Sequence, residues 1–431
     1  MPRLWAAVRR WVVTGWPVAT AVAVVGGGLW AAVPSASPDL DLTTAALHGT
    51  TLETVRPSDT GEVDPLLGAA VDAILARRGI AVKTNNLALF LRDVAPELRA
   101  EQTQLFKNLR TIGMTVTYRR AEPWTNYEAA RRYGLATGTF RVSMRYQLFG
   151  TKLAQTATDV GYTYTVRQGR LYLVEDDDLD QAIGAGNQPW DFGPLQLVRR
   201  SNVLVIVNQG QLPLAEKLAD QTVQMARKVR TLWRGQLQQV PVIVALREKQ
   251  VLTDLPPTNP GDEPARVQAM LSPGADGEPV GGWLVIPPSR LQTFDDAQMT
   301  HALIHLLTVR LGDAAPRWLS EGIAEYAGNQ QLVASGRGVE VAKRRAEVRK
   351  HALGDLTRLP SDAEFTATDS DDISWLAVEQ LVKQIGVQRV TYFYRQIARR
   401  GYNDAAKERL MTEYTGFSQK ALVDSLRSLA G

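Results

Sequence analysis

Between Met299 and Val309 the chain reads MTHALIHLLTV, an apolar run at helical spacing that carries His301 and His305 four residues apart. Positions i and i+4 lie one turn apart on the same helix face, so both imidazoles can point at one spot. After Pro316 a second helical pattern begins, RWLSEGIAEYAG, with Glu321 sixteen residues beyond His305. A fold that honours both patterns sets two helices side by side, with an acid from one facing two imidazoles of the other. Two histidines and a carboxylate, with a fourth position left to water, is the donor set of a catalytic zinc rather than a structural one. The plainer reading of the histidine pair alone is a pair that packs or faces solvent. It is the second segment that gives the metal reading its weight.

The wording around these residues carries a resemblance. His301-x-x-x-His305, followed by Pro316-Arg317-Trp318-Leu319-Ser320-Glu321-Gly322-Ile323-Ala324-Glu325-Tyr326, resembles the gluzincin metallopeptidases, specifically the bacterial peptidase MA-like group. That group carries HExxH on one helix and P-x-W-L-x-E-G-x-A-x-Y on the next. The resemblance implies zinc held by His301, His305 and Glu321. It breaks at one place. The glutamate that follows the first histidine in HExxH is the general base, and here that position is Ala302. A methyl group cannot move protons, and loss of a positioned acid/base usually costs about 10² to 10⁴ in rate. The implied protein is a catalytically impaired metallopeptidase that binds peptide or protein segments. Two alternatives stay open: an active zinc peptidase in which Glu325 or a water chain replaces the base, and a metal-free structural or interaction module.

The resemblance implies two further features. The strand before the zinc helix would be an edge on which an extended peptide pairs, which makes Gly282, Trp283, Leu284, Val285 and Ile286 the substrate shelf; a plain edge strand protected by Pro287 and Pro288 is the alternative. Family members often carry a tyrosine shortly before the tryptophan matched by Trp375, and Ser370, Asp371 and Asp372 stand there instead.

Bulk properties exclude several classes. The 431 residues are 45% hydrophobic and 22% charged, a globular composition long enough for two or three domains. A net charge of +4, with basic residues spread along the chain, gives no support to nucleic-acid binding. Zero cysteines leave histidine and carboxylate as the zinc ligands available.

Arg3, Arg9 and Arg10 precede Trp11–Val33, 23 residues without a charge. At 1.5 Å per residue that run crosses a hydrocarbon core of about 30 Å. Arginines before it and none soon after place the N-terminus inside and the body outside the cytoplasm. The expectation is a single-pass anchor in the cell membrane with an extracytoplasmic body. A cleaved signal peptide ending near Ser35-Ala36-Ser37 is the alternative.

The expected fold class is α+β in four parts: a transmembrane helix over 1–34, a linker over 35–64, a cone-like domain over 65–185 and a gluzincin-like domain over 190–431. Within 65–185, helical periodicity around Leu66–Leu75, Leu87–Leu91 and Gln102–Ile112 gives way to alternating strands at Thr115–Tyr118, Phe140–Leu148 and Tyr162–Val166. Gln168-Gly169 turns the last of these into Arg170–Val174. Helices followed by a curved antiparallel sheet resemble nuclear-transport-factor-two-like domains. Such a cone could take a ligand or an acid, with Asp93 or Tyr164 facing inward, although polar residues in alternating strands more often face solvent. Asp176-Asp177-Asp178 reads as an acidic strand end rather than a calcium site. Farther on, Val203–Val207 and Val240–Leu246 flank a helix from Leu212 to Leu237, and Pro256–Asp276 reads mostly as loop. Val341–Leu353 reads as a basic helix with a solvated face.

Overall fold

The computed structural model describes residues 65–148, 154–184, 187–234, 240–248, 265–274, 277–311, 314–365 and 369–430. The expected anchor and linker lie outside these residues. Among the described residues no helix is long and apolar enough to cross a membrane.

Helix α1 (Pro65–Thr84) opens the described chain and turns Val71, Ile74, Leu75 and Arg78 inward. It ends at Asn85, whose φ of 55° leaves the helical region. Asn86 then caps a one-turn helix, Leu87–Phe90, by accepting from the Leu89 N–H. Helix α2 (Arg99–Ile112) stops at Gly113, in the left-handed region at φ 74°.

Strands β1 (Met114–Trp124), β2 (Thr137–Leu148), β3 (Thr156–Arg167) and β4 (Arg170–Glu175) form an antiparallel meander, with a short helix, Tyr127–Tyr133, between β1 and β2. The hairpin at Gln168-Gly169 has φ of 51° and 71°, both positive, as the favoured two-residue turn requires. Helices first and an antiparallel sheet after them is the order read from the sequence.

Next come β5 (Leu195–Arg200), β6 (Val203–Asn208), helix α3 (Leu212–Trp233) and β7 (Val242–Ala245). Strands β6 and β7 are parallel and joined through α3, the strand-helix-strand unit expected there. Both are buried along their whole length, which explains their unbroken β-branched runs. Strands β8 (Arg266–Leu271) and β9 (Pro279–Val285) complete one sheet of nine described strands, ordered β1-β2-β3-β8-β9-β7-β6-β5 with β4 also on β3.

The regions 65–185 and 190–431 share that sheet through the Ala157–Leu271 pairing. They also share a core: Tyr146 of β2 meets Trp190 at 5.0 Å between ring centroids, and Trp190 meets Trp283 of β9 at 6.4 Å.

The expected peptide shelf is corrected. Gly282–Ile286 is not an edge. Strand β8 pairs one side of β9, with Gln268 opposite Trp283 and Ala269 opposite Gly282. Strand β7 pairs the other, with Ile243 opposite Leu284, and the Ile286 N–H donates to the Val244 carbonyl at 2.9 Å. The covering strand, β8, lies in the stretch expected as loop. Its six residues sit between prolines and glycines, which hide a short alternating pattern.

The rest is helical: α4 (Asp296–Thr308), α5 (Arg317–Ala334), α6 (Gly338–His351), α7 (Asp369–Ile385), α8 (Val387–Arg400), α9 (Asp404–Thr415) and α10 (Gln419–Arg427). Their apolar faces bury Leu303, Leu307, Leu319, Ile323, Trp375 and Phe393 in one cluster.

Candidate metal centre

Helix α4 starts with a reciprocal cap, in which Asp295 accepts from the Gln298 N–H at 2.9 Å and Gln298 accepts from the Asp295 N–H at 3.0 Å. One turn farther in, His301 and His305 present their rings together, centroids 4.9 Å apart. Helix α5 brings Glu321 to them from its second turn.

Two glycines let the helices come this close. At Gly322 a Cβ would lie 2.4 Å from the Ser374 carbonyl oxygen of α7, and at Gly328 one would lie 3.2 Å from the Ala297 carbonyl oxygen of α4. The Glu-Gly pair seen in the sequence is therefore a candidate donor, Glu321, next to the residue that packs α5 on α7.

The three donors form a small triangle. His305 Nε2 is 3.2 Å from His301 Nε2 and 3.1 Å from Glu321 Oε2, and His301 Nε2 is 3.7 Å from that same oxygen. Donors bound tetrahedrally at 2.0–2.1 Å stand about 3.3 Å apart, so the triangle fits a zinc-sized ion without rearrangement. His301, His305 and Glu321 are the one group of three or more histidine or acidic residues among the described residues with metal-site spacing.

Around the triangle the partners are fixed. His301 Nδ1 lies 3.1 Å from Glu325 Oε1, and Arg344 Nη1 donates to Glu325 Oε2 at 2.7 Å. Arg344 also donates through Nε to Asp372 at 2.5 Å and lies over the Trp375 ring at 5.2 Å. Arg317 Nε reaches Glu321 Oε1 at 3.4 Å. With Nδ1 donating to Glu325, Nε2 of His301 keeps its lone pair turned toward the other two donors, the usual carboxylate support of a metal-ligating histidine.

Glu325, named from the sequence as a possible replacement for the base, lies against the far nitrogen of His301 and is itself held by Arg344. Ala302 brings no replacement. It is 3% exposed and its methyl packs in the apolar cluster.

Burial lowers the His301 imidazole, but the hydrogen bond and charge of Glu325, followed by Glu321 and Asp371, raise it to about 9. Burial pushes Glu321 up, and His305, His301 and Arg317 more than reverse this, to about 2. Glu325 is likewise pushed up by burial and brought to about 2 by His301 and Arg344. A zinc bound there would have to displace the proton that these groups hold on His301 at neutral pH.

The Ser370–Asp372 segment, read from the sequence as a place of lost equipment, forms a wall here. Ser370 donates to the Glu364 carbonyl at 2.9 Å and Asp372 is tied to Arg344. Asp371 is half-buried, and burial, then Glu321 and Glu325, push its carboxyl up to about 6. Neither Arg344 nor Asp371 could be placed from spacing, because they reach the site from helices far along the chain.

No protein-family model matches the chain, and no curated protein is significantly similar to it. Among solved structures it is similar to the M1 zinc metallopeptidase of Deinococcus radiodurans, at 16% identity and a TM-score of 0.33 over 74% of this chain and 61% of that one. A point variant of that enzyme gives 14% and 0.35, covering 74% and 62%. The same variant bound to a Tyr-Ser-Ala substrate gives 17% and 0.33, covering 68% and 61%. The chain spans about three fifths of the length of these structures.

Proposed function

We propose that this chain is a membrane-anchored, extracytoplasmic protein with a zinc-binding site of metallopeptidase type, which captures peptide or protein segments and is impaired in cutting them. One observation carries the reading: His301, His305 and Glu321 meet at metal-ligand spacing while the adjoining position is Ala302.

A zinc ion held by those three residues would polarise a peptide carbonyl and lower the pKa of a coordinated water to about 7. The chain's own residues do the rest. Glu325 and Arg344 fix the His301 ring, Arg317 steadies Glu321, and Gly328, against the Ala297 carbonyl, lets α5 lie close on α4. With β9 enclosed, the proposed place for a peptide is the outer side of β8: among the described residues β8 pairs with β3 only at Leu271, and Val267–Met270 would take the added strand.

The test is retention of a fluorescent, unstructured peptide by the zinc-loaded protein. Binding that is lost on chelation and restored by zinc, with no cleavage products by mass spectrometry over hours, is the expected result. Rapid cleavage would overturn the impaired reading.

A second reading, slow hydrolysis with Asp371 as acid/base, has one observation in its favour: a half-buried carboxyl with raised proton affinity on the wall beside Glu321. It requires turnover that Asp371→Asn abolishes while zinc content stays unchanged.

A further inference from the structure

At the end of the sheet lies β5, which among the described residues pairs with β6 alone. The main chain of this strand points alternately toward β6 and away from it. The Gln209 N–H donates to the Pro194 carbonyl at 2.7 Å, so by the antiparallel alternation Gln196, Val198 and Arg200 bond to β6 while Leu195, Leu197 and Arg199 turn their main chain outward. The outward Leu195 N–H is taken. Asn108 Oδ1 of α2 accepts it at 3.1 Å, and Asn108 Nδ2 donates to the carbonyls of Trp190, Phe192 and Gly193. That asparagine fixes the start of the strand. Beyond it the N–H and C=O of Leu197 face outward with no strand beside them among the described residues.

A groove of about 760 Å³ follows this edge, lined by Thr111 of α2, by Leu195, Leu197 and Arg199, and by Gly210 and Leu212 where β6 turns into α3. At Gly210 a Cβ would meet nothing within 4 Å, so the groove is wide on that side. Leu195 is buried and Leu197 half-buried against the core under α2, and the exposed Arg199 follows them on the same side. The lining includes that one cation and no carboxylate. Arg200 points to the other face, where it meets Asp220 of α3 at 3.2 Å. Lys107, exposed one turn before Thr111 on α2, adds a second positive charge on the groove side.

We infer that this edge is a docking site for an extended segment of a partner protein, added to β5 as an antiparallel strand, with apolar side chains beside Leu195 and Leu197 and a carboxylate at Arg199. Main-chain pairing with an exposed edge supplies affinity, and the side chains at alternate positions supply selectivity. Charge selects the occupant. Two copies of this chain paired edge to edge would put Arg199 and Arg200 of both on one short ladder, whereas an acidic segment answers the cation already there. Strands β9, β7 and β6 separate this edge from β8, so the site is distinct from the peptide place proposed there and needs no zinc.

The probe is the peptide Thr-Glu-Thr-Val-Thr-Val-Thr, blocked at both ends and carrying fluorescein on a C-terminal linker. Its glutamate falls opposite Arg199 and its valines opposite Leu197 and Leu195. Anisotropy is followed with the full-length protein, with chelator present throughout so that the metal centre plays no part. Binding should be saturable, about tenfold or more tighter than that of the same peptide with lysine in place of glutamate, and should protect residues 195–200 from hydrogen exchange. Methylating the main-chain nitrogen of the valine opposite Leu197 should weaken binding about tenfold or more. Arg199→Glu should reverse the preference toward the lysine peptide. Leu197→Pro removes the outward N–H without touching the bonds to β6 and should abolish binding; if that variant does not fold, Arg199→Glu decides. The inference is overturned if the glutamate peptide shows no saturable binding, if the methylated peptide binds as well as its parent, or if Arg199→Glu leaves the preference unchanged. A full-length protein that sediments as a dimer and becomes monomeric in Leu197→Pro would also overturn it, by giving the edge to a second copy.

Discussion

Glu325 touches His301 on the ring nitrogen that points away from the other donors, so replacing it should loosen the ligand without removing it. Glu325→Gln is expected to lower zinc affinity about 10- to 100-fold, measured by competition with a chromophoric chelator. Unchanged affinity would mean the carboxylate does not support the ligand. Ala302→Glu tests the missing base. Its carboxylate enters the helical turn of both histidines, so zinc content should hold while peptide hydrolysis rises by about 10² or more, at some loss of thermal stability because Ala302 is enclosed. No gain in hydrolysis with zinc still bound would show that the surrounding wall, not one position, has been lost. At this scale the meeting of His301, His305 and Glu321 was legible in the sequence because a four-residue spacing and a sixteen-residue gap leave few arrangements. The role of Glu325 was not. It follows Glu321 by one turn on the same face, and only the placement of Arg344 and His301 Nδ1 shows which carboxylate meets both imidazole Nε2 atoms and which lies behind the His301 ring.

Between elements, the crossing of α5 and α7 is held by the absence of a side chain. Gly322→Ala would put a methyl 2.4 Å from the Ser374 carbonyl oxygen and 2.7 Å from Val378. The helices must part, at a cost of about 1–3 kcal/mol in denaturant unfolding, and Glu321 should move with them and weaken zinc binding. Full stability and full affinity in this variant would contradict the packing described. Long helices and fully buried strands were readable because their periodicity runs over many residues, as in α3, β6 and α8. Strands β5 and β8 were not, since each offers six residues next to turn-forming ones. The edge expected of β9 came from the resemblance, and β8, unseen in the sequence, covers it, so one short strand changes where a peptide could pair.

At the scale of the molecule, one sheet joins the meander to the strand-helix-strand unit, and the interior acids of the meander should set how stability follows pH. Asp176 has a folded-state pKa raised to about 7 from an unfolded value near 4. A carboxyl raised on folding contributes stability that is complete below the unfolded value and lost as pH rises through the folded one. Asp176→Asn, which keeps a partner for Gln102, should therefore stabilise the protein at pH 8 by about 1–3 kcal/mol and do little at pH 4, measured by urea unfolding at both values. Equal effects at the two pH values would contradict the burial of a neutral acid. On the topology proposed from Arg3, Arg9 and Arg10 before an uncharged run, with the body outside, protease added to intact protoplasts should digest it while the protein sediments with membranes. Protection would reverse the orientation, and a soluble species beginning near residue 38 would indicate cleavage. The most direct test of the metal centre is the zinc content of the purified protein, by mass spectrometry of the elements at neutral pH without chelator. Near one zinc per chain in the parent and none in His301→Ala is the expected result. A parent without zinc, folded and still unable to take it up from added salt, would contradict the metal centre outright.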